Sequence, residues 1–153
     1  MATPPLANVC RTVEVDLEPR RSPGASDHTV IWTGDMNVAP EPIDVYHPDR
    51  RVNEVDFHID ARKAWADASA WGFVDVFRKL HPDRVQYTYW DYFRNAFGNN
   101  FGWRIDHIMA TPPLANVCRT VEVDLEPRRS PGASDHTVIW AEFDWPDANP
   151  QGA

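Results

Sequence analysis

The 153-residue sequence predicts an α+β fold: one mixed, mostly antiparallel sheet covered by a helix layer. Three observations predict it. Short runs rich in β-branched and aromatic residues end at Gly, Pro or Asp-bearing corners, as strands do. One stretch repeats its apolar residues at helical spacing. The length, with 42% hydrophobic and 25% charged residues, suits one domain built on a single core.

Residues 29–33 are β-branched and aromatic and stop at Gly34, which predicts a strand running into the corner Gly34-Asp35-Met36-Asn37. The prolines and polar residues of 40–51 predict loop with one helical turn. Phe57, Ala61, Ala64, Trp65, Ala68 and Trp71 share one face of a helix, with Trp65 and Trp71 as core residues and Gly72 as its stop. A short turn or helix over 73–80 precedes His81-Pro82. Strands follow at 86–90, 103–110, 116–125 and 137–143, with a loop at 95–102. The alternation Thr120-Val121-Glu122-Val123-Asp124-Leu125 marks a half-exposed strand.

Residues 1–32 repeat 109–140 without a single change. One undiverged repeat is not a solenoid, which needs several copies. The predicted organisation is a duplicated segment 1–28 (a copy of 109–136), a folded unit 29–145 and a tail 146–153. The two copies compete for one place in the sheet, so the loser is disordered or swapped into a neighbour. Ser26-Asp27-His28 duplicates Ser134-Asp135-His136. Eight extended residues separate Asp27 from Asp35, roughly 26 Å at about 3.3 Å each, which keeps the duplicate out of the Asp35 corner.

A net charge of −8 argues against a basic nucleic-acid clamp, though carboxylates around a divalent cation turn the local field positive. Cys10 and Cys118 are the same residue of the repeat and predict buried free thiols, not a disulfide framework. No run reaches membrane-span length and the start lacks signal-peptide zones, so the expectation is a soluble, cytoplasmic protein without membrane contact.

Three polar motifs sit where apolar runs meet loops: Gly34-Asp35-Met36-Asn37, Trp103-Arg104-Ile105-Asp106-His107 and Ser134-Asp135-His136. Asp35 and Asn37 are two apart on extended chain and so share a face, where a carboxylate takes a proton from water and an amide holds a phosphate oxygen. An Asx turn is the alternative reading of the same residues. An Asp paired with a His fixes the ring's tautomer and stabilises its protonated form. Together these groups suit metal-assisted attack of water on a phosphodiester. His47, His58 and His81 read as surface residues. Tyr87-Thr88-Tyr89-Trp90-Asp91-Tyr92, Phe101 and Trp103, interleaved with Arg94 and Arg104, read either as core or as a pocket for a sugar or unstacked base.

The ordered set Gly-Asp-Met-Asn (34–37), Tyr-Thr-Tyr-Trp (87–90), Asn-Phe-Gly-Trp-Arg-Ile-Asp (100–106) and Ser-Asp-His (134–136) resembles the exonuclease III family of apurinic/apyrimidinic (AP) endonucleases, within the endonuclease/exonuclease/phosphatase superfamily. The resemblance covers about residues 30–145. It implies about half of a DNase I-like two-sheet sandwich and a hydrolase acting in base-excision repair. Its substrate would be double-stranded DNA with abasic sites or 3′ ends, its cofactor Mg²⁺ with Mn²⁺ as the alternative. By the same resemblance Asp35, Asn37, Asp106 and His136 are catalytic: Asp35 activates or orients water, Asn37 steadies the phosphate, and Asp106 partners His136. Asp35, Asn37, Asp135 and His136 form the metal side. Tyr89, Trp90, Trp103, Arg104 and Ile105 contact substrate, and Tyr89, Trp103 and Ile105 line the pocket for a flipped-out abasic sugar. His107 stands where the family often has another aromatic.

The family's amino-terminal half, with its metal-binding Glu, a neighbouring Asn and a Tyr near the phosphate, has no counterpart in these residues. Three readings therefore stand: an AP endonuclease or 3′–5′ exonuclease of reduced activity; a non-catalytic half-domain that dimerises through its exposed sheet or binds DNA weakly; and a phosphatase acting on small phosphate esters.

Overall fold

A computed structural model of the chain describes residues 29–144. The duplicated segment 1–28, with Cys10 and Ser26-Asp27-His28, and the tail 146–153 lie outside the described residues.

The first strand, β1 (Ile31–Asp35), pairs antiparallel with β3 (Asp106–Ala110), whose other edge holds the short β2 (Val74–Asp75). A second pair joins β4 (Cys118–Asp124) and β5 (Val138–Phe143) in antiparallel register from Val121↔Ala141 to Asp124↔Val138. The α+β class and antiparallel pairing are as expected, but the strands divide into two hydrogen-bonded groups instead of one sheet. Pro112 and Pro113 explain the break. They cannot extend β3, and open the single-turn helix α3 (Pro112–Ala115), which turns the chain away before β4.

Between the two groups lies the core: Val76, Phe77, Ile108, Ala110, Leu114, Ala115, Cys118, Val121 and Val123. Val121 and Val123 point inward while Asp124 is exposed, the alternation read from the sequence. Cys118 is a buried free thiol. Helix α2 (Val76–Leu80) contributes Val76 and Phe77, and Asp75 caps it by accepting from the Arg78 amide at 3.1 Å.

Helix α1 (Ile59–Ser69) occupies the predicted place, and Gly72 leaves it at φ +111°, a conformation that favours glycine. Its aromatic pair divides. Trp65 packs against Trp32 and His107, with ring centroids 6.0 and 4.3 Å away, but Trp71 is 60% exposed and is not core. The helix ends at Ser69, so Trp71 stands beyond it in the following turn and does not share the packing of Trp65. The remaining helix, α4 (Glu126–Arg129), is a single turn in the long β4–β5 connection. Residues 86–90 are not a strand. They run extended beside 103–106 with only bridges from Tyr89 to Trp103 and to His136, because the Thr88 side chain bonds the neighbouring backbone where a ladder partner would. Likewise 103–105 precede β3 proper and make isolated contacts with Val45 and Tyr89.

Candidate active site

The β1–β3 register places Asp35 directly opposite Asp106, so the ends of two neighbouring strands carry carboxylates on one side. Beyond Asp35 the chain turns sharply. Asn37 adopts φ +50°, its amide N–H donates to Asp35 Oδ1 at 2.9 Å, and its side-chain nitrogen donates to Asp35 Oδ2 at 3.2 Å. The corner is therefore an Asx turn, not the extended chain expected, and the turn itself brings amide and carboxylate together. The Met36 amide donates to the Ile105 carbonyl at 2.9 Å and ties the corner to the start of β3.

The third motif arrives on the loop before β5. Ser134 Oγ accepts from the His136 amide at 3.1 Å, and the Asp135 carbonyl accepts from the Trp90 amide at 2.9 Å. His136 Nδ1 then lies 2.9 Å from Asp106 Oδ2, while its Nε2 is 3.9 Å from Asp35 Oδ2. Asp106 is an acceptor, so Nδ1–H donates to it and Nε2 faces Asp35. The hydrogen bond to Asp106 pushes the His136 pKa up; partial burial opposes this, and the charges of Asp106, Asp35 and Asp135 add to it. The ring of Tyr89 lies 5.0 Å from that of His136. Burial, then the nearby acids Asp91, Asp135 and Asp56, push the Tyr89 hydroxyl up, so it stays protonated.

Beneath this corner is a buried ionic network that the sequence did not reveal. Asp44, fully buried, accepts from Arg104 Nε at 2.6 Å and Nη2 at 3.1 Å, and from Arg78 Nη2 at 2.5 Å. Arg104 Nη1 also donates to Asp75 Oδ2 at 2.7 Å and lies 2.9 Å from His107 Nδ1. Burial pushes the Asp75 carboxyl up, but His107 and the Arg104 charge outweigh it and hold the group well below the usual carboxylate range. His107 Nε2 lies 2.8 Å from the carbonyl of Val38, one residue past Asn37. A carbonyl can only accept, so Nε2–H is the donor that pins the corner loop.

Of the residues predicted to form the site, Asp35, Asn37, Asp106 and His136 come together. Asp135 stands apart from the metal-capable group; its Oδ1 accepts from Ser134 Oγ at 3.3 Å and it acts on His136 through charge. Several substrate contacts need correction. Arg104 is 1% exposed with its fork committed to Asp44 and Asp75, so it offers nothing to a substrate. Trp90 is equally buried, its indole N–H donating to Asn100 Oδ1 at 3.2 Å. Trp103 and Ile105 pack with Ala39, Val45 and Phe57, leaving little surface; they support Tyr89 from behind. Tyr89 is half-buried beside the His136 ring. Beside it Tyr92 and Phe93 are exposed, and Arg94 holds φ +57°.

Asp35, Asp106 and His136 each offer a ligand atom, all within 4.8 Å of one another. The donors are two carboxylates and an imidazole, and Asp106 is already bonded to His136. That set fits a hard divalent cation bound through one or two protein oxygens, with water and a phosphate completing its shell.

The chain has clear relatives. The profile of the Endonuclease/Exonuclease/phosphatase family matches residues 11–136. Exodeoxyribonuclease III of Haemophilus influenzae is 34% identical over 121 residues, covering 74% of this chain and 45% of that protein. An AP endonuclease structure from Archaeoglobus fulgidus superposes with a TM-score of 0.76 at 48% identity, covering 78% of this chain and 47% of the other. A 3′ phosphatase from Neisseria, bound to a product DNA hairpin, superposes with a TM-score of 0.75 at 34% identity, covering 76% and 46%. The chain thus spans less than half the length of these relatives. It belongs to the endonuclease/exonuclease/phosphatase family, and within it resembles the exonuclease III and AP endonuclease members.

Proposed function

We propose that this corner hydrolyses phosphodiester bonds in double-stranded DNA, at abasic sites or 3′ ends, with Mg²⁺ as cofactor and Mn²⁺ as its substitute. The observation that carries the reading is the His136 ring, fixed by Asp106 on one nitrogen and facing Asp35 across 3.9 Å with the other. That separation is too long for a hydrogen bond, so Asp35 does not tie up the Nε2–H that would meet a phosphate oxygen beside it. Asp35 orients the attacking water and takes its proton. The Asn37 side chain steadies a non-bridging oxygen, and His136, its pKa pushed up by the hydrogen bond to Asp106, donates Nε2–H to the developing negative charge. A bound divalent cation, held by Asp35 and the neighbouring donors, would neutralise phosphate charge there. Asp135 serves as a charge that favours both cation and imidazolium. Tyr89, backed by Trp103 and Ile105, forms the wall for an abasic sugar, and exposed Tyr92, Phe93 and Arg94 suit contact with DNA next to it. The expected cytoplasmic location belongs to the same proposal; among the described residues no helix is long and apolar enough to cross a membrane.

The test is single-turnover cleavage of a labelled duplex with one abasic analogue, full chain in excess, with Mg²⁺. Because the chain spans less than half of its relatives, slow turnover is expected. Asp35→Asn and His136→Ala should each lower the rate by about 10²-fold or more. No nick at high protein concentration, with Mg²⁺ or Mn²⁺, would sink the proposal. Faster attack on a generic phosphate ester than on DNA would favour the phosphatase reading.

A second reading, association of two copies through the sheet margins, is favoured by the exposure of Ile31 on β1 and of Val138 and Trp140 on β5. Exchange of the repeated segment would produce such a dimer. Light scattering over a concentration series checks it: a monomer mass throughout removes the reading.

A further inference from the structure

We propose that Thr88 is the positioning residue that holds Asp106 in line with His136; the inference rests on the reading of that pair given above. Thr88 is fully buried in the middle of the Tyr87-Thr88-Tyr89-Trp90 motif. Its Oγ1 accepts from the amides of Ile105 at 3.2 Å and Asp106 at 3.1 Å. Its own proton points to the Trp103 carbonyl at 3.5 Å. The backbone completes the grip. The Thr88 amide donates to Trp103 O at 2.9 Å, and the Thr88 carbonyl accepts from the amide of Thr137, the residue after His136, at 2.8 Å.

One residue therefore reaches both halves of the pair: Asp106 through its hydroxyl, and the loop that carries His136 through its carbonyl, bonded to Thr137. The backbone amide of Asp106 precedes the side chain that must meet His136 Nδ1 at 2.9 Å. A tilt of that peptide swings the carboxylate, and a hydrogen bond of this kind weakens steeply with misalignment. The amides of Ile105 and Asp106 sit at the entry to β3, where no strand continues the ladder, so the hydroxyl is their partner. Any buried acceptor would satisfy them. What singles Thr88 out is that its neighbour Tyr89 bridges to His136, so the same segment fixes both partners at once.

Thr88→Val keeps the volume and removes the acceptor, whereas Thr88→Ser keeps the hydroxyl. The readout is the NMR signal of the His136 Nδ1 proton, which is protected from exchange only while bonded to Asp106, recorded on the full chain beside a urea melt. Thr88→Val should lose or broaden the signal and lower single-turnover cleavage about tenfold or more, while Thr88→Ser keeps the signal and stays within about threefold. An unchanged His136 signal in folded Thr88→Val overturns the proposal, as does loss of the signal in folded Thr88→Ser. Should Thr88→Val unfold, Thr88→Cys decides: similar in size but a poor acceptor, it should speed exchange of the His136 proton, and unaltered exchange refutes the role. The signal is read without turnover. A wild type that shows the proton but cuts no DNA counts against the proposed function and leaves the Thr88 test intact.

Discussion

Replacing Arg104 by Met should be among the most damaging single changes in the molecule. The side chain is 1% exposed and makes three short bonds to carboxylates: Nε and Nη2 to Asp44 at 2.6 and 3.1 Å, and Nη1 to Asp75 at 2.7 Å. Methionine restores apolar volume but leaves Asp44 fully buried with fewer partners. Removing one member of a buried ion pair typically costs about 3–5 kcal/mol. Arg78 at 2.5 Å and the Glu41 amide at 3.1 Å still hold Asp44, which places Arg104→Met at the lower end, about 3 kcal/mol. That is a large share of the roughly 5–15 kcal/mol that stabilises an ordinary domain. Arg104→Lys keeps the charge but loses the side-on fork, and should cost about 1.5–3 kcal/mol. Urea unfolding followed by fluorescence of the seven tryptophans gives both values. The coupling is checked by adding Asp44→Asn to Arg104→Met, where the double change should cost less than the sum of the singles. A loss below about 1 kcal/mol for Arg104→Met would refute the reasoning, since a buried, tightly bonded arginine cannot be that dispensable if its partners are these carboxylates.

Two further outcomes follow from the same packing. The Asp75 carboxyl is held below its ordinary value of 3.8, so its contribution to stability is present above pH 3.8 and is lost as pH falls through the depressed value. The gap in urea midpoint between wild type and Asp75→Asn should thus narrow on acidification below that point, and a gap constant with pH would contradict the assignment. At Gly102 an added Cβ would meet Trp90 Nε1 at 2.5 Å and Tyr87 Cβ at 2.7 Å. Gly102→Ala should therefore destabilise by about 1–3 kcal/mol, and an unmoved unfolding midpoint would show that the Trp90 layer is looser than described.

Local chemistry carried most of what was legible in the sequence. The run into Gly34 announced β1, the valine alternation announced β4, and the helical spacing from Phe57 announced α1. The four polar residues of the corner were also readable, because each lies at or within two residues of a strand end. What failed depended on partners far along the chain. An arginine between Trp103 and Ile105 reads as a ligand for something outside; its true partner, Asp44, lies 60 residues earlier in a proline-rich loop. Trp71 continues the apolar spacing that runs through Trp65, yet the helix ends at Ser69 and leaves it exposed in the following turn. The extended segment at Thr88 looked like a strand because it is β-branched and aromatic. Its structural signal was the lone buried hydroxyl among aromatics, which only the positions of Ile105 and Asp106 make interpretable.

The most direct measurement of the central idea, that one corner gathers a cation and a phosphate, is paramagnetic broadening by Mn²⁺ in the NMR spectrum of the full chain. Sub-stoichiometric Mn²⁺ should broaden the His136 ring and the Asn37 amide first and together, leave α4 sharp, and lose its effect in Asp35→Asn. Broadening spread over the acidic surface, or centred away from Asp35 and His136, would contradict the site described here.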